Sequence, residues 1–147
     1  MASAELRRDL DVTLAHVIGQ AVVALAIGCE IHLAVEKHPS GKCFEGNCWA
    51  RHPGGELPKE LQRPLGIAGL VSTLAYLGGS PHDVEADDLF DRLQAGEFEF
   101  SEADAVLAEG YTLADVVFAL DVLRARWPVV AEEIERMAPA SCMAATD

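Results

Sequence analysis

Four candidate metal ligands lie close together in one short segment of the chain, between residues 38 and 52. Their spacing is H-x4-C-x4-C-x3-H, and the residues are His38, Cys43, Cys48 and His52. Zinc favours tetrahedral sites of thiolate sulfur and imidazole nitrogen, and a segment rich in Gly and Pro can fold such ligands around an ion. The segment therefore predicts a small structural zinc loop, and zinc is the one cofactor that the sequence suggests.

Three other interpretations of these residues remain open. A second ligand set would recruit Cys29 and His32, which share a face if the preceding helix continues through them. Cys43 and Cys48 would close a short disulfide if the loop meets an oxidant. The third interpretation is a surface loop whose side chains never converge, and the wide spacing of the two cysteines favours it.

A long apolar segment precedes this loop. The first helix is predicted from near Ser3 to Lys37, where His38 stands before Pro39 and is pushed out of helical space. Its middle, residues 12–35, is apolar on nearly every side, which is typical of the central helix of a bundle or of an oligomer interface. The same residues are long enough to span a bilayer, although His16, Gln20 and Glu30 interrupt the run. A lone histidine such as His16 is predicted to be a structural imidazole with a polar partner.

The remaining segments predict shorter helices. They cover residues 57–77, 81–95, 101–109, 112–126 and 129–137, with an extended connector at 97–100, and proline or glycine marks most of the boundaries. The sequence thus predicts an all-α fold, a compact bundle of five to six helices around the long N-terminal helix, with a Gly/Pro/Cys-rich loop at 38–56. At 147 residues the chain is most simply one domain, residues 1–138, followed by a flexible tail, residues 139–147.

The net charge of -13 is concentrated in the second half of the chain. Residues 1–81 carry eight acidic and seven basic side chains, a net of -1, whereas residues 82–147 carry a net of -12. The domain therefore divides into a near-neutral apolar half, 1–79, and an acidic half, 80–138. An acidic surface repels phosphate backbones and attracts basic partners, so direct nucleic-acid binding is not expected.

Six acidic residues in the second half are the candidates for contact with a basic protein surface. They are Asp83, Asp87, Asp88, Asp91, Glu97 and Glu99. Three of them, in the run Asp87-Asp88-Leu89-Phe90-Asp91, spell DDxxD, which resembles the magnesium-diphosphate motif of isoprenoid synthases. The resemblance covers five residues, and the chain has neither a second acidic motif nor a basic cluster for the diphosphate. A solvated acidic helix face explains the same pattern.

No complete catalytic motif is present, which favours a non-enzymatic role. Four cysteines without a signal-peptide layout at the start favour a cytoplasmic location. We therefore expect a small acidic regulatory or adaptor protein that forms homo-oligomers and binds a basic protein partner. A special case is an inhibitor that imitates the charge of nucleic acid. The alternatives are a metal-binding protein or small metal-dependent enzyme using the loop at 38–52, and a membrane protein spanning with residues 12–35.

Overall fold

This computed structural model describes the backbone of residues 4–146 and the side chains of residues 4–137. Within these residues the protein folds into five α-helices, one two-stranded antiparallel sheet and one 3-10 turn. The elements are α1 (Ala4–Ile27), β1 (Glu30–Lys37), β2 (Phe44–Arg51), α2 (Lys59–Leu77), the 3-10 turn (Pro81–Asp83), α3 (Ala86–Gln94), α4 (Glu102–Ala108) and α5 (Leu113–Thr146). The prediction of a mostly helical fold is confirmed. The prediction of a purely α-helical one is wrong, because the sheet is a β-hairpin.

The hairpin replaces the end of the predicted first helix and most of the predicted loop. Gly28 has a φ of 98°, a left-handed conformation that suits glycine and ends α1. The residues after it alternate, with Ile31, Leu33 and Val35 partly buried and packed against the core, which is the two-residue period of a strand. Every residue of β1 pairs with one of β2, from Glu30 with Arg51 to Lys37 with Phe44.

The hairpin packs on α1, which also contacts α2 and α5. A Cβ added at Gly46 of β2 would stand 2.6 Å from Val17 and 2.9 Å from Thr13, so this face of the strand lies directly on α1. Asp9 of α1 accepts a hydrogen bond of 2.6 Å from the backbone N–H of Phe44. The core draws on both halves of the chain, and its fully buried members include Leu14, Val17, Ile67, Val71, Leu120 and Leu123.

The predicted helix over residues 81–95 is divided into the 3-10 turn and α3. Ser80 caps the turn, and its hydroxyl accepts a hydrogen bond from the His82 N–H. The break follows from α5, because the Arg124 guanidinium donates to the carbonyls of Pro81 at 3.0 Å and Val84 at 2.7 Å. These carbonyls are the acceptors that a continuous helix would need.

The predicted helix end at Trp127-Pro128 is wrong, because α5 continues through both residues. Buried side chains recur at helical spacing on both sides of the proline, from Val116 and Leu123 before it to Val130 and Ile134 after it. A proline inside a helix costs about 3 kcal/mol, and burial of one continuous apolar face outweighs that cost.

Other predicted boundaries are confirmed. The helix predicted over 57–77 is α2, and Gly78 ends it. Pro64 predicts a kink or a split in this helix, and the split is wrong because α2 continues through that residue. The hydroxyl of Ser101 accepts from the Asp104 N–H and caps α4, as its sequence pattern predicts. The predicted flexible tail covers residues 139–147. The side chains of these residues, and the whole of residue 147, lie outside the described part of the chain, so the flexibility of the tail stays a prediction. The homo-oligomer also stays a prediction.

The membrane span predicted over residues 12–35 is not one helix, because α1 ends at Ile27 and a strand follows. By length and composition, α1 itself is apolar enough to cross a bilayer, with a mean hydropathy of 1.8 over its most apolar window. In the structure, 56% of that window is buried inside the protein. The core helix of a folded domain has the same composition, so α1 is weak evidence for a span.

Candidate functional site

The hairpin separates the four residues of the predicted zinc loop. His38 and Cys43 lie at its turn, where the His38 N–H donates to the Cys43 carbonyl at 2.8 Å. His52 follows the other end of β2, about 30 Å from Cys43 at the rise of an extended strand. No group of three or more His, Cys, Asp or Glu side chains in the described residues is arranged to hold a metal ion. Zinc binding by this loop stays a prediction that the described geometry does not support.

The pairing of β1 with β2 also affects the other two site interpretations, the disulfide between Cys43 and Cys48 and the ligand set that includes Cys29 and His32. Cys43 and Cys48 are five positions apart, about 16 Å along a strand and on opposite faces, too far for a disulfide without movement of the backbone. Both are free thiols. Cys29 is buried below the start of β1, whereas His32 lies on the exposed face, with its ring centroid 5.3 Å from that of Trp49. The second ligand set is therefore wrong, because it assumed a helix through these residues.

Cys48 and His52 instead contribute to one cavity of about 290 Å³ beneath the hairpin. Strand alternation places Cys48 on the same face as Gly46, which packs on α1. The complete lining is Gln20, Cys29, Cys48, Ala50, His52, Gly55, Leu57, Gln62, Leu65 and Leu107. We call this space the thiol cavity. It brings together two of the four predicted loop residues, Cys48 and His52, with a second cysteine, Cys29, and two side-chain amides.

Behind the thiol cavity lies a buried carboxylate, Asp104 of α4. Its Oδ1 accepts a hydrogen bond of 2.9 Å from Gln20 Nε2, and its Oδ2 lies 3.3 Å from His16 Nε2. Burial alone would raise the pKa of Asp104, but the hydrogen bonds from His16 and Gln20 and the charge of His16 outweigh it and hold that pKa below its ordinary value. This contact is the polar partner predicted for His16, and the structural role of the imidazole stays a prediction.

The environment of Cys48 makes its thiol unreactive. Burial first, and then the charges of Asp104 and Cys29, raise the pKa of Cys48 to about 11. Burial also raises the pKa of Cys29. Since the thiolate is the nucleophile, neither residue is suited to nucleophilic catalysis at neutral pH.

Alkylation rates test this description of the thiols. At pH 8 only about a thousandth of Cys48 is thiolate, so we expect iodoacetamide to modify it more than tenfold more slowly than Cys43 at the turn, although both residues are partly exposed. Mass spectrometry of proteolytic peptides over time measures both rates in one sample. In urea the two rates should become similar, and equal rates in the native protein would contradict the assignment.

A second candidate site lies at the opposite end of α2, and two of the six predicted acidic contact residues line it. All six are exposed. Two of them, Asp83 and Asp88, line a groove of about 560 Å³ between the end of α2, the 3-10 turn and α3. The others lie close to it in sequence, with Asp87 and Asp91 on α3 and Glu97 and Glu99 in the segment that follows.

The groove has an apolar floor and an acidic rim. Its apolar side chains are Leu74, Leu77, Val84 and Phe98, and its acidic ones are Asp83, Glu85 and Asp88. The one base of the lining, Arg92, is already engaged, since its guanidinium lies 5.4 Å from the centre of the Phe98 ring and its Nε lies 3.1 Å from a carboxylate oxygen of Glu97. We call this site the acid-rimmed groove.

Sequence reasoning missed the apolar floor of the groove and the role of Asp104. The acids were visible as a charge pattern, but the neighbouring Leu77 looked like the end of a helix face. The sequence gives Asp104 no visible role beyond the first turn of the helix predicted over 101–109, because its partners Gln20 and His16 are 84 and 88 positions away. A polar residue within a long apolar helix, such as Gln20, was the available signal that a buried partner existed.

Comparison with protein-family models and with curated proteins found no match. The chemistry of the thiol cavity and of the acid-rimmed groove therefore rests on their own residues.

Proposed function

We propose that this protein is a non-enzymatic adaptor or regulator that binds a basic, amphipathic segment of another protein in the acid-rimmed groove. The observation that carries the proposal is the combination of apolar floor and acidic rim at one place. Leu77 is 48% exposed at the end of α2, where it lines the groove. Apolar anchors of a partner would bury against this floor, while its Lys and Arg side chains meet Asp83, Glu85 and Asp88.

The charge distribution supports a basic partner over an acidic or neutral one. The whole chain has a net charge of -13. Within that total, the groove is lined by three carboxylates and by one arginine, which is already paired with Glu97. Such a surface steers cationic partners and raises their association rate at low salt. It also supports the narrower proposal that the partner is a nucleic-acid-binding protein whose basic surface this chain occupies.

Binding of a synthetic amphipathic helix of Leu and Lys tests the proposal. We expect this peptide to bind, and a Leu/Glu peptide of the same pattern not to bind. Raising NaCl from about 50 mM to about 500 mM should weaken the interaction roughly tenfold or more, because most of the attraction is screened. Isothermal titration calorimetry measures both effects.

Matched variants separate the groove from the general acidity of the chain. Leu77→Ser and Asp88→Lys should each weaken binding of the Leu/Lys peptide by roughly tenfold. Leu25→Ser replaces a leucine of similar exposure, 55%, on α1, and Glu56→Lys reverses an exposed charge before α2. The controls should bind as the wild type does. Equal losses in all four variants would contradict a specific groove.

A further inference from the structure

The thiol cavity is a second concave site, at the far end of α2 from the groove, and its lining has a distinct chemistry. None of its lining residues in the described part of the chain is Asp, Glu, Lys or Arg. Its thiols are uncharged at neutral pH, since burial and then the charges of Asp104 and Cys29 raise the pKa of Cys48 to about 11. Leucine side chains, Leu57, Leu65 and Leu107, supply apolar walls. A charged ligand would find no counter-ion in this lining.

The two amides that line the cavity are oriented by protein contacts. Gln20 Nε2 donates to Asp104 Oδ1 at 2.9 Å, and Gln62 Nε2 donates to the Leu57 carbonyl at 2.6 Å. Each contact engages one of the two hydrogens of the amide nitrogen and so fixes the orientation of the amide, whose carbonyl oxygen accepts hydrogen bonds. The two carbonyl oxygens are therefore the acceptors that the lining can present to a ligand that donates.

His52 adds an unsatisfied polar atom at the same place. Its Nδ1 is buried and has no hydrogen-bond partner among the residues that the structure describes, although the ring lines the cavity. Buried polar atoms are nearly always paired in folded proteins, and an orphan atom carries a free-energy cost. The ring lies beside Gly54, where an added Cβ would stand 3.0 Å from His52 Cε1.

We propose that the thiol cavity binds a small uncharged molecule with an apolar, ring-sized body and one hydroxyl or N–H donor. The volume of about 290 Å³ is at the lower end of the range for ligand pockets, which favours a small ligand over a nucleotide or another large cofactor. The ligand donates to the glutamine carbonyls and buries its ring against the leucines. The site is independent of the acid-rimmed groove, so either can fail without the other.

Three probes that share one benzene ring separate the features of this proposal. Phenol carries the ring and the donor, anisole carries the ring with the donor methylated, and benzoate carries a charge. In ¹H–¹⁵N correlation spectra of the full chain, phenol should cause saturable shifts at the amides of Cys29, His52 and Leu107. Anisole should bind roughly fivefold more weakly, as expected for one lost neutral hydrogen bond. Benzoate should cause no saturable shift there.

Two variants locate the probe. Ala50→Trp places a large ring on the strand face that lines the cavity and should abolish the phenol shifts, whereas Asn47→Trp on the exposed face of β2 should leave them unchanged. Gln62→Leu removes one acceptor and should bring phenol binding close to that of anisole. The proposal is overturned if phenol gives no saturable shift, if anisole binds equally well, or if Ala50→Trp leaves the phenol shifts intact.

Discussion

Replacement of Asp104 by alanine is expected to lower the free energy of unfolding by about 3 kcal/mol, because it leaves buried polar partners without an acceptor. Gln20 would lose the acceptor of its amide nitrogen, and His16 would lose its carboxylate. Asp104→Asn keeps the shape and one acceptor oxygen, so its loss should be smaller. Urea unfolding followed by circular dichroism measures both values.

The control for this substitution is Asp121→Ala. Asp121 has a side chain that is 64% exposed and makes only a 3.6 Å contact with Arg124 on the surface of α5. Surface ion pairs contribute little, so we expect a change within about 0.5 kcal/mol. If the two alanine variants lost equal stability, the buried carboxylate would not have the role that its contacts indicate.

The pH dependence of stability should reveal the same residue. Because the pKa of Asp104 in the folded protein lies below its ordinary value, its contribution is fully present above the unfolded pKa, near pH 4, and is lost as pH falls through the folded pKa. Between about pH 4 and pH 2 the wild type should therefore lose more stability than Asp104→Asn does. Parallel curves for the two proteins would contradict this.

Replacement of Gly66 by alanine is the second large effect that we expect. Gly66 of α2 faces α4, and an added Cβ would meet the Ala108 backbone nitrogen and stand 2.8 Å from the Asp104 carbonyl oxygen. Backbone atoms cannot rotate away, so α4 must move and carry the Asp104 side chain with it. We expect a loss of about 3 kcal/mol, although alanine favours a helix by about 1 kcal/mol over glycine.

The matched control is Gly78→Ala, the same substitution at the end of the same helix. Gly78 has a φ of -84°, which alanine adopts readily, and its nearest atom to an added Cβ is the Leu74 carbonyl oxygen at 3.3 Å. Its unfolding free energy should change by less than about 1 kcal/mol. Similar losses at both positions would show that the contact between α2 and α4 is not the close one described here.

Short sequence signals predicted the helix ends that are stabilised by neighbouring residues. The Ser101 hydroxyl caps α4 and Gly78 ends α2, and each of these features is visible within a few residues. The strand β1 was missed because apolar residues run from α1 through Gly28 without a polar break. Ile31, Leu33 and Val35 alternate with the period of a strand, but the same residues also fit a helix that is apolar on all sides.

The interactions that sequence could not reveal join distant parts of the chain. The helix predicted over 81–95 is divided by Arg124, which lies about forty residues further along the chain. Arg124 acts through hydrogen bonds to backbone carbonyls, and these carry no sequence signal. Pro128 would end most helices, and only the burial of α5 on both sides of it keeps the helix continuous. The thiol cavity depends on the hairpin register, which sets Cys48 and Cys29 beneath one surface while it carries His38 and Cys43 to the turn.

The binding proposal is tested most directly by mapping the Leu/Lys peptide onto the full chain with ¹H–¹⁵N correlation spectra. Specific binding predicts that the largest shifts fall on Leu77, Val84, Asp88 and Phe98, which line the acid-rimmed groove. It also predicts that these shifts saturate together with one dissociation constant and that Leu77→Ser removes them. Small shifts spread evenly over all exposed acidic residues, unchanged by Leu77→Ser, would contradict it.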